Sequence, residues 1–124
     1  MKFLICKDCG YIVQVIKDAD VKVECCGKEM TEIIPGTTDA AVEKHVPAIT
    51  VDGAKVAVAV GEVAHPMADV HYIEWVAIET AKGSQIAYLK PGEEPKADFV
   101  LADGDKLIAA YAYCNLHGLW KAEA

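Results

Sequence analysis

Between residues 55 and 63 the chain alternates strictly. Val56, Val58 and Val60 fall on one face of an extended segment and Ala57 and Ala59 on the other, the period of two expected of a half-buried strand. Residues 71–80 predict a second strand, and the turn Ala81-Lys82-Gly83-Ser84 reverses it into a third over residues 85–89. Pro91-Gly92-Glu93-Glu94-Pro95 breaks the chain again. Asp103-Gly104-Asp105 then leads into an apolar run over residues 106–113, short enough to be a buried strand. No sustained helical period appears, so no long amphipathic helix is expected. About seven short strands with turns at this spacing predict a mainly β protein built on an immunoglobulin-like β-sandwich.

The first 36 residues follow a different logic. They hold four of the five cysteines and no histidine, while residues 37–124 hold all four histidines and the last cysteine. Pro35-Gly36-Thr37-Thr38, a Pro-Gly turn followed by small polar residues, is the expected connection. Two domains are therefore expected, 1–36 and 37–124. The front one is too short to bury enough apolar surface to fold unaided.

Composition narrows the function. The 124 residues carry 12 basic side chains, every one a lysine, against 19 acidic ones, for a net charge of −7. An acidic chain without arginine forks or a dense basic stretch argues against nucleic acid and anionic membranes as partners. The longest apolar run, Leu107–Cys114, is far below the roughly 18 residues of a spanning helix, and the N-terminal stretch has no signal-peptide core. A soluble, cytoplasmic protein is expected. An odd number of cysteines, two of them adjacent, fits a disulfide framework poorly and makes metal ligation the better reading.

Cys6-Lys7-Asp8-Cys9-Gly10 is a Cys-X-X-Cys knuckle in which Gly10 can supply a positive φ, and Cys25-Cys26 supplies a second pair. Four sulfurs match a tetrahedral site for zinc or a single iron, and the spacing does not choose between them. Adjacent cysteines reach one ion only through a distorted local backbone, because successive side chains of an extended chain point apart. The histidines lie in Glu43-Lys44-His45-Val46-Pro47, His65-Pro66-Met67, His71-Tyr72-Ile73-Glu74-Trp75 and Cys114-Asn115-Leu116-His117. Pro66 restricts His65 to extended backbone and Pro47 stiffens the segment after His45. Four imidazoles and one thiolate suit a borderline transition metal. Five donors would overfill structural zinc but leave one position open on iron.

Taken together and in this order, these motifs resemble the desulfoferrodoxins, superoxide reductases with two iron centres, over essentially the whole chain. The resemblance implies that Cys6, Cys9, Cys25 and Cys26 bind a distorted rubredoxin-type iron in a small desulforedoxin-like domain. It implies a second iron in the immunoglobulin-like body, with His45, His65, His71 and His117 equatorial and Cys114 axial, opposite an open position for superoxide. It further implies that Glu43 takes the sixth position of the oxidised iron, that Lys44 lies near the open face, and that the protein is a homodimer reduced by rubredoxin or a similar donor. The activity implied is one-electron reduction of superoxide to hydrogen peroxide. Two other classes fit the same residues: a non-catalytic electron carrier or redox sensor, and a zinc-stabilised module in which the histidines are incidental.

Overall fold

The computed structural model describes all residues, Met1–Ala124, and divides into two compact units, Met1–Ile34 and Pro35–Ala124. In the first unit β1 (Phe3–Ile5) lies between β2 (Ile12–Gln14) and β5 (Thr31–Glu32) in an antiparallel sheet, and β3 (Glu24–Cys25) pairs with β4 (Lys28–Glu29). Its apolar cluster is small: Leu4, Cys6 and Met30, flanked by Val13, Val15 and Cys25. Two of those side chains are cysteines, so the cluster wraps the sulfur site. A core this small leaves stability to a bound ion, and structural zinc in small fingers contributes roughly 10–16 kcal/mol.

The second unit opens with a single helical turn, α1 (Val42–His45), followed by seven antiparallel strands. These are β6 (Pro47–Asp52), β7 (Lys55–Val60), β8 (Ile73–Thr80), β9 (Ser84–Tyr88), β10 (Lys96–Val100), β11 (Leu107–Cys114) and β12 (Gly118–Glu123). They form a three-stranded sheet, β10-β7-β6, and a four-stranded sheet, β12-β11-β8-β9. This is the mainly β, seven-stranded sandwich that the alternation predicts. Val56, Val58 and Val60 of one sheet pack in the same core as Val76, Ile78, Ala110 and Ala112 of the other. The alternating pattern of β7, exposed at Lys55, Ala57 and Ala59, follows directly from its period of two.

Two boundaries differ from the sequence expectation, each beside a histidine, and one strand, β6, had no sequence expectation. The strand expected over residues 55–63 stops at Val60, because Gly61 at φ 85° turns the chain away. The strand expected from residue 71 begins at Ile73, because His71 closes a tight loop with Ala68 through reciprocal main-chain hydrogen bonds of 3.0 and 3.1 Å. Pro47 opens strand β6 at the edge of its sheet, where its missing N–H leaves no interior ladder bond unmade.

Ile78 is wholly buried at the centre of the core. Ile78→Ala is expected to lower unfolding free energy by about 2–5 kcal/mol. Urea denaturation of the two proteins, compared at equal m-value, measures the difference.

Candidate metal centres

His45 ends α1, and its Nδ1–H donates to Ala41 O at 2.7 Å; His65 follows the Gly61 turn, and its Nδ1–H donates to Pro66 O at 2.7 Å. With the Nδ1 proton fixed on each, both Nε2 atoms carry lone pairs, and they face each other at 3.0 Å. His45 Nε2 also lies 3.1 Å from Nδ1 of His117. His71 Nε2 is buried without any hydrogen-bond partner. These four nitrogens and Cys114 Sγ all lie within 4.8 Å of one another.

The rings stand in cyclic order. Neighbouring centroids are 4.6 Å apart for His45–His65, 4.7 Å for His65–His71, and 5.0 Å for both His71–His117 and His117–His45. Each neighbouring pair is nearly perpendicular, and the diagonal pair His45–His71 is 6.5 Å apart. That is a near-square of imidazoles. Cys114 is completely buried and His45 and His65 nearly so, while His71 and His117 are half-buried, so the cluster reaches solvent.

Lone pairs that face one another and an orphaned buried nitrogen are unfavourable unless a cation lies among them. Three imidazoles are held in the neutral form that binds metal: burial lowers the pKa of His45 and His71 and brings that of His65 to about 4. Burial pushes the Cys114 thiol up, partly opposed by the amides of Leu116 and His117 that point at its sulfur. A coordinated cation would reverse that shift. The donor set is too soft and too nitrogen-rich for magnesium or calcium and fits iron.

In the first unit the sulfurs of Cys6, Cys9, Cys25 and Cys26 also lie within 4.8 Å of one another, with Cys9–Cys25 at 3.6 Å and Cys25–Cys26 at 3.9 Å. The expected backbone distortion is present. Cys26, at φ 55°, is the single non-glycine residue with positive φ, and Gly27 follows at φ 73°. Two successive left-handed residues reverse the chain and bring both sulfurs to one side. Gly10, at φ 81°, donates its N–H to Cys6 O at 2.7 Å, as the knuckle requires. The Cys9 amide pulls the Cys6 thiol down to about 7, whereas hydrogen bonding to the Cys6 and Cys9 sulfurs pushes Cys25 up to about 12. Four thiolates at this spacing need a cation between them.

All nine sequence-predicted donors are thus brought into two groups. Glu43 and Lys44 lie exposed on α1, in the two positions before His45, and the positive charge of Lys44 acts on both His45 and His71. Two supporting residues carry no sequence signal strong enough to single them out. A Cβ at Gly61 would press into the carbonyl oxygens of Val63 and Lys44, the latter at 2.6 Å, so only glycine lets the His65 loop close on α1. There Gly61 N–H donates to Val46 O and Val63 N–H to Glu43 O. Trp120 stacks on His45 at 5.0 Å and donates its indole N–H to His117 O at 3.0 Å. A glycine ending a valine-alternating strand is the available clue for the first; the second sits three residues past a histidine, with no pattern of its own.

The profile described as Desulfoferrodoxin matches residues 37–123, the stretch that holds the five-donor cluster. A desulfoferrodoxin homolog of Archaeoglobus fulgidus is 46% identical over 98% of this chain and 96% of its own length. The chain belongs to the desulfoferrodoxin family. Among solved structures it resembles the superoxide reductase from Treponema pallidum, with a TM-score of 0.82, 37% identity and 98% coverage of both chains. It also resembles the one-iron superoxide reductase from Giardia intestinalis, with a TM-score of 0.58 and 35% identity over 66% of this chain and 97% of that one. The two donor groups of this family member fit two irons per chain.

The histidine shifts carry a pH dependence. The unfolded chain takes up protons on these rings near pH 6.5, while the folded chain resists protonation down to lower pH, about 4 at His65. Their contribution to stability is therefore complete above about pH 6.5 and declines as the pH falls through that window. The thermal midpoint of the metal-free protein is expected to drop between about pH 7 and about pH 5, and less so in His65→Gln. Equal slopes for the two proteins would contradict this.

Proposed function

We propose that this protein is a superoxide reductase, reducing superoxide to hydrogen peroxide at an iron held by His45, His65, His71, His117 and Cys114. The observation that carries this reading is the near-square of four imidazoles gathered with one buried sulfur, five donors where structural zinc takes four. Likeness to the Treponema and Giardia superoxide reductases supports it. When bound, the iron supplies the single electron of O2•− + e− + 2 H+ → H2O2, with electron density donated by the Cys114 thiolate.

The remaining work falls to the side chains around the cluster. A net charge of −7 opposes the approach of a small anion, so a local cation must gather it. Lys44 is that cation, for its charge is felt at two of the rings. It also holds protons close to where the product forms. Glu43, on the same helical turn, provides a carboxylate to complete the donor set of the oxidised ion. Its main chain is tied down by the Val63 N–H at 3.0 Å, which leaves the side chain free to swing.

Residues 1–36 act in this reading as a desulforedoxin-like domain whose Cys6, Cys9, Cys25 and Cys26 hold the other iron, and residues 37–124 as the reductase domain. Coverage of two-thirds of this chain by a one-iron enzyme supports a body that is catalytically self-sufficient. The family resemblance extends the reading to a rubredoxin-like electron donor, a homodimer and a cytoplasmic location.

Metal analysis and product assay of the anaerobically purified protein test the reading. Two irons per chain, with catalytic conversion of superoxide to peroxide and no dioxygen, are expected. One zinc with an empty histidine site would leave only a metal-stabilised module, and consumption limited to a single turnover with donor present would leave an electron carrier. Cys114→Ser should abolish the sulfur-to-iron charge-transfer band of the five-donor site. Lys44→Ala should slow second-order superoxide consumption about tenfold or more at low salt and flatten its salt dependence, as measured by pulse radiolysis.

A further inference from the structure

Two of the four imidazoles fix their own orientation, through the Nδ1–H bonds from His45 to Ala41 O and from His65 to Pro66 O. His117 turns Nδ1 toward the cluster and is carried on the turn that begins at Cys114. His71 differs: its Nε2 has no partner, and the bonds that hold it are those of its main chain to Ala68. A short loop of this kind places a ring accurately only if something places the loop.

Asn115 meets that need. Its Nδ2 donates to Val70 O at 3.0 Å, its Oδ1 accepts the Tyr72 N–H at 3.0 Å, and its own N–H donates to Tyr72 O at 3.2 Å. The two side-chain bonds bracket His71, one residue to each side. They occur where the sheet cannot do the same work, because the β8–β11 register shifts between Tyr113 and Cys114 and the paired ladder ends at Cys114↔Ile73. A primary carboxamide offers a donor and an acceptor on one flat group, so it can replace a peptide in an interrupted ladder. Aspartate lacks the donor and leucine lacks both.

We propose that Asn115 is the positioning residue for His71, its carboxamide fixing the His71 loop against the turn that carries Cys114 and His117, so that all five donors fall at one ion. This rests on the five-donor iron site proposed above. Asn115 touches no reacting atom. It acts through the placement of one ligand, and groups that orient metal ligands from outside are worth about 10–100-fold in affinity.

The test is the ferrous-iron affinity of the five-donor site in the full-length protein, measured by chelator competition on wild type, Asn115→Ala and the core truncation Val56→Ala. Val56 is buried at the end of β7 away from the His65 loop, so its variant reports loss of stability alone. Asn115→Ala is expected to lose tenfold or more in affinity, with faster hydrogen exchange at the Tyr72 amide of the metal-free protein, while Val56→Ala keeps wild-type affinity. An Asn115→Ala affinity equal to wild type, or a loss no greater than that of Val56→Ala, overturns the assignment. Should Asn115→Ala fail to fold, the isosteric Asn115→Asp, which loses the bond to Val70 O, is judged against the same control. Wild type that binds no iron at this site would instead defeat the reductase reading itself.

Discussion

His45 and His65 commit their Nδ1 protons to main-chain carbonyls, which leaves each Nε2 with a lone pair directed inward, and the two meet at 3.0 Å. An interior that gathers unprotonated nitrogens in this way works against its own folding unless a cation completes it. The rest of the C-terminal unit follows from meeting that demand. The sandwich buries Cys114 at the end of β11, the Gly61 turn brings His65 against α1, and Trp120 covers one face of His45. None of these placements is needed by an ordinary β-sandwich.

The sandwich also explains why the site can be accurate without being built inside a strand. Apart from Cys114, every donor of this cluster lies outside the strands, in a segment tied at both ends to a rigid sheet. Exposure then grades across the cluster, from a sealed sulfur to half-open rings, and the Lys44 charge reaches one buried ring, His45, and one half-open ring, His71. The four-sulfur site of the N-terminal unit reaches a similar end by other means. It has almost no core behind it, and it relies on left-handed backbone at Cys26 and Gly27 to turn adjacent sulfurs to one ion.

Much of this was legible in the residues. The valine alternation of β7 gave its buried face correctly, and the turn residues at Gly83 and Gly104 separated the later strands. The donors stood out because cysteine and histidine occur nowhere else in the chain. What could not be read was the point at which strand gives way to loop near His65 and His71. The same valines or aromatic residues continue the pattern past Gly61 and before Ile73. The strands end there at the Gly61 turn, bonded to Val46, and at the short loop His71 closes with Ala68, main-chain bonds that no side-chain period announces. For the same reason Asn115 and Trp120 were invisible as supports. Their partners lie 45 residues away for the carboxamide bond to Val70 and at a ring that no local period connects to Trp120.

The two centres differ in how much chain must exist before they can close. Cys9 and Cys25 are separated by 16 positions, whereas His45 and His117 are separated by 72. During synthesis all four sulfur donors precede the sandwich, whereas the nitrogen site lacks donors until Cys114 and His117, at and after the end of β11, have been made. A metal ion arriving during translation therefore meets thiols first. Closing the imidazole site brings together side chains 72 positions apart, a contact of far longer loop than the 16 positions spanned at the sulfur site, so its closure is expected to be the slower of the two.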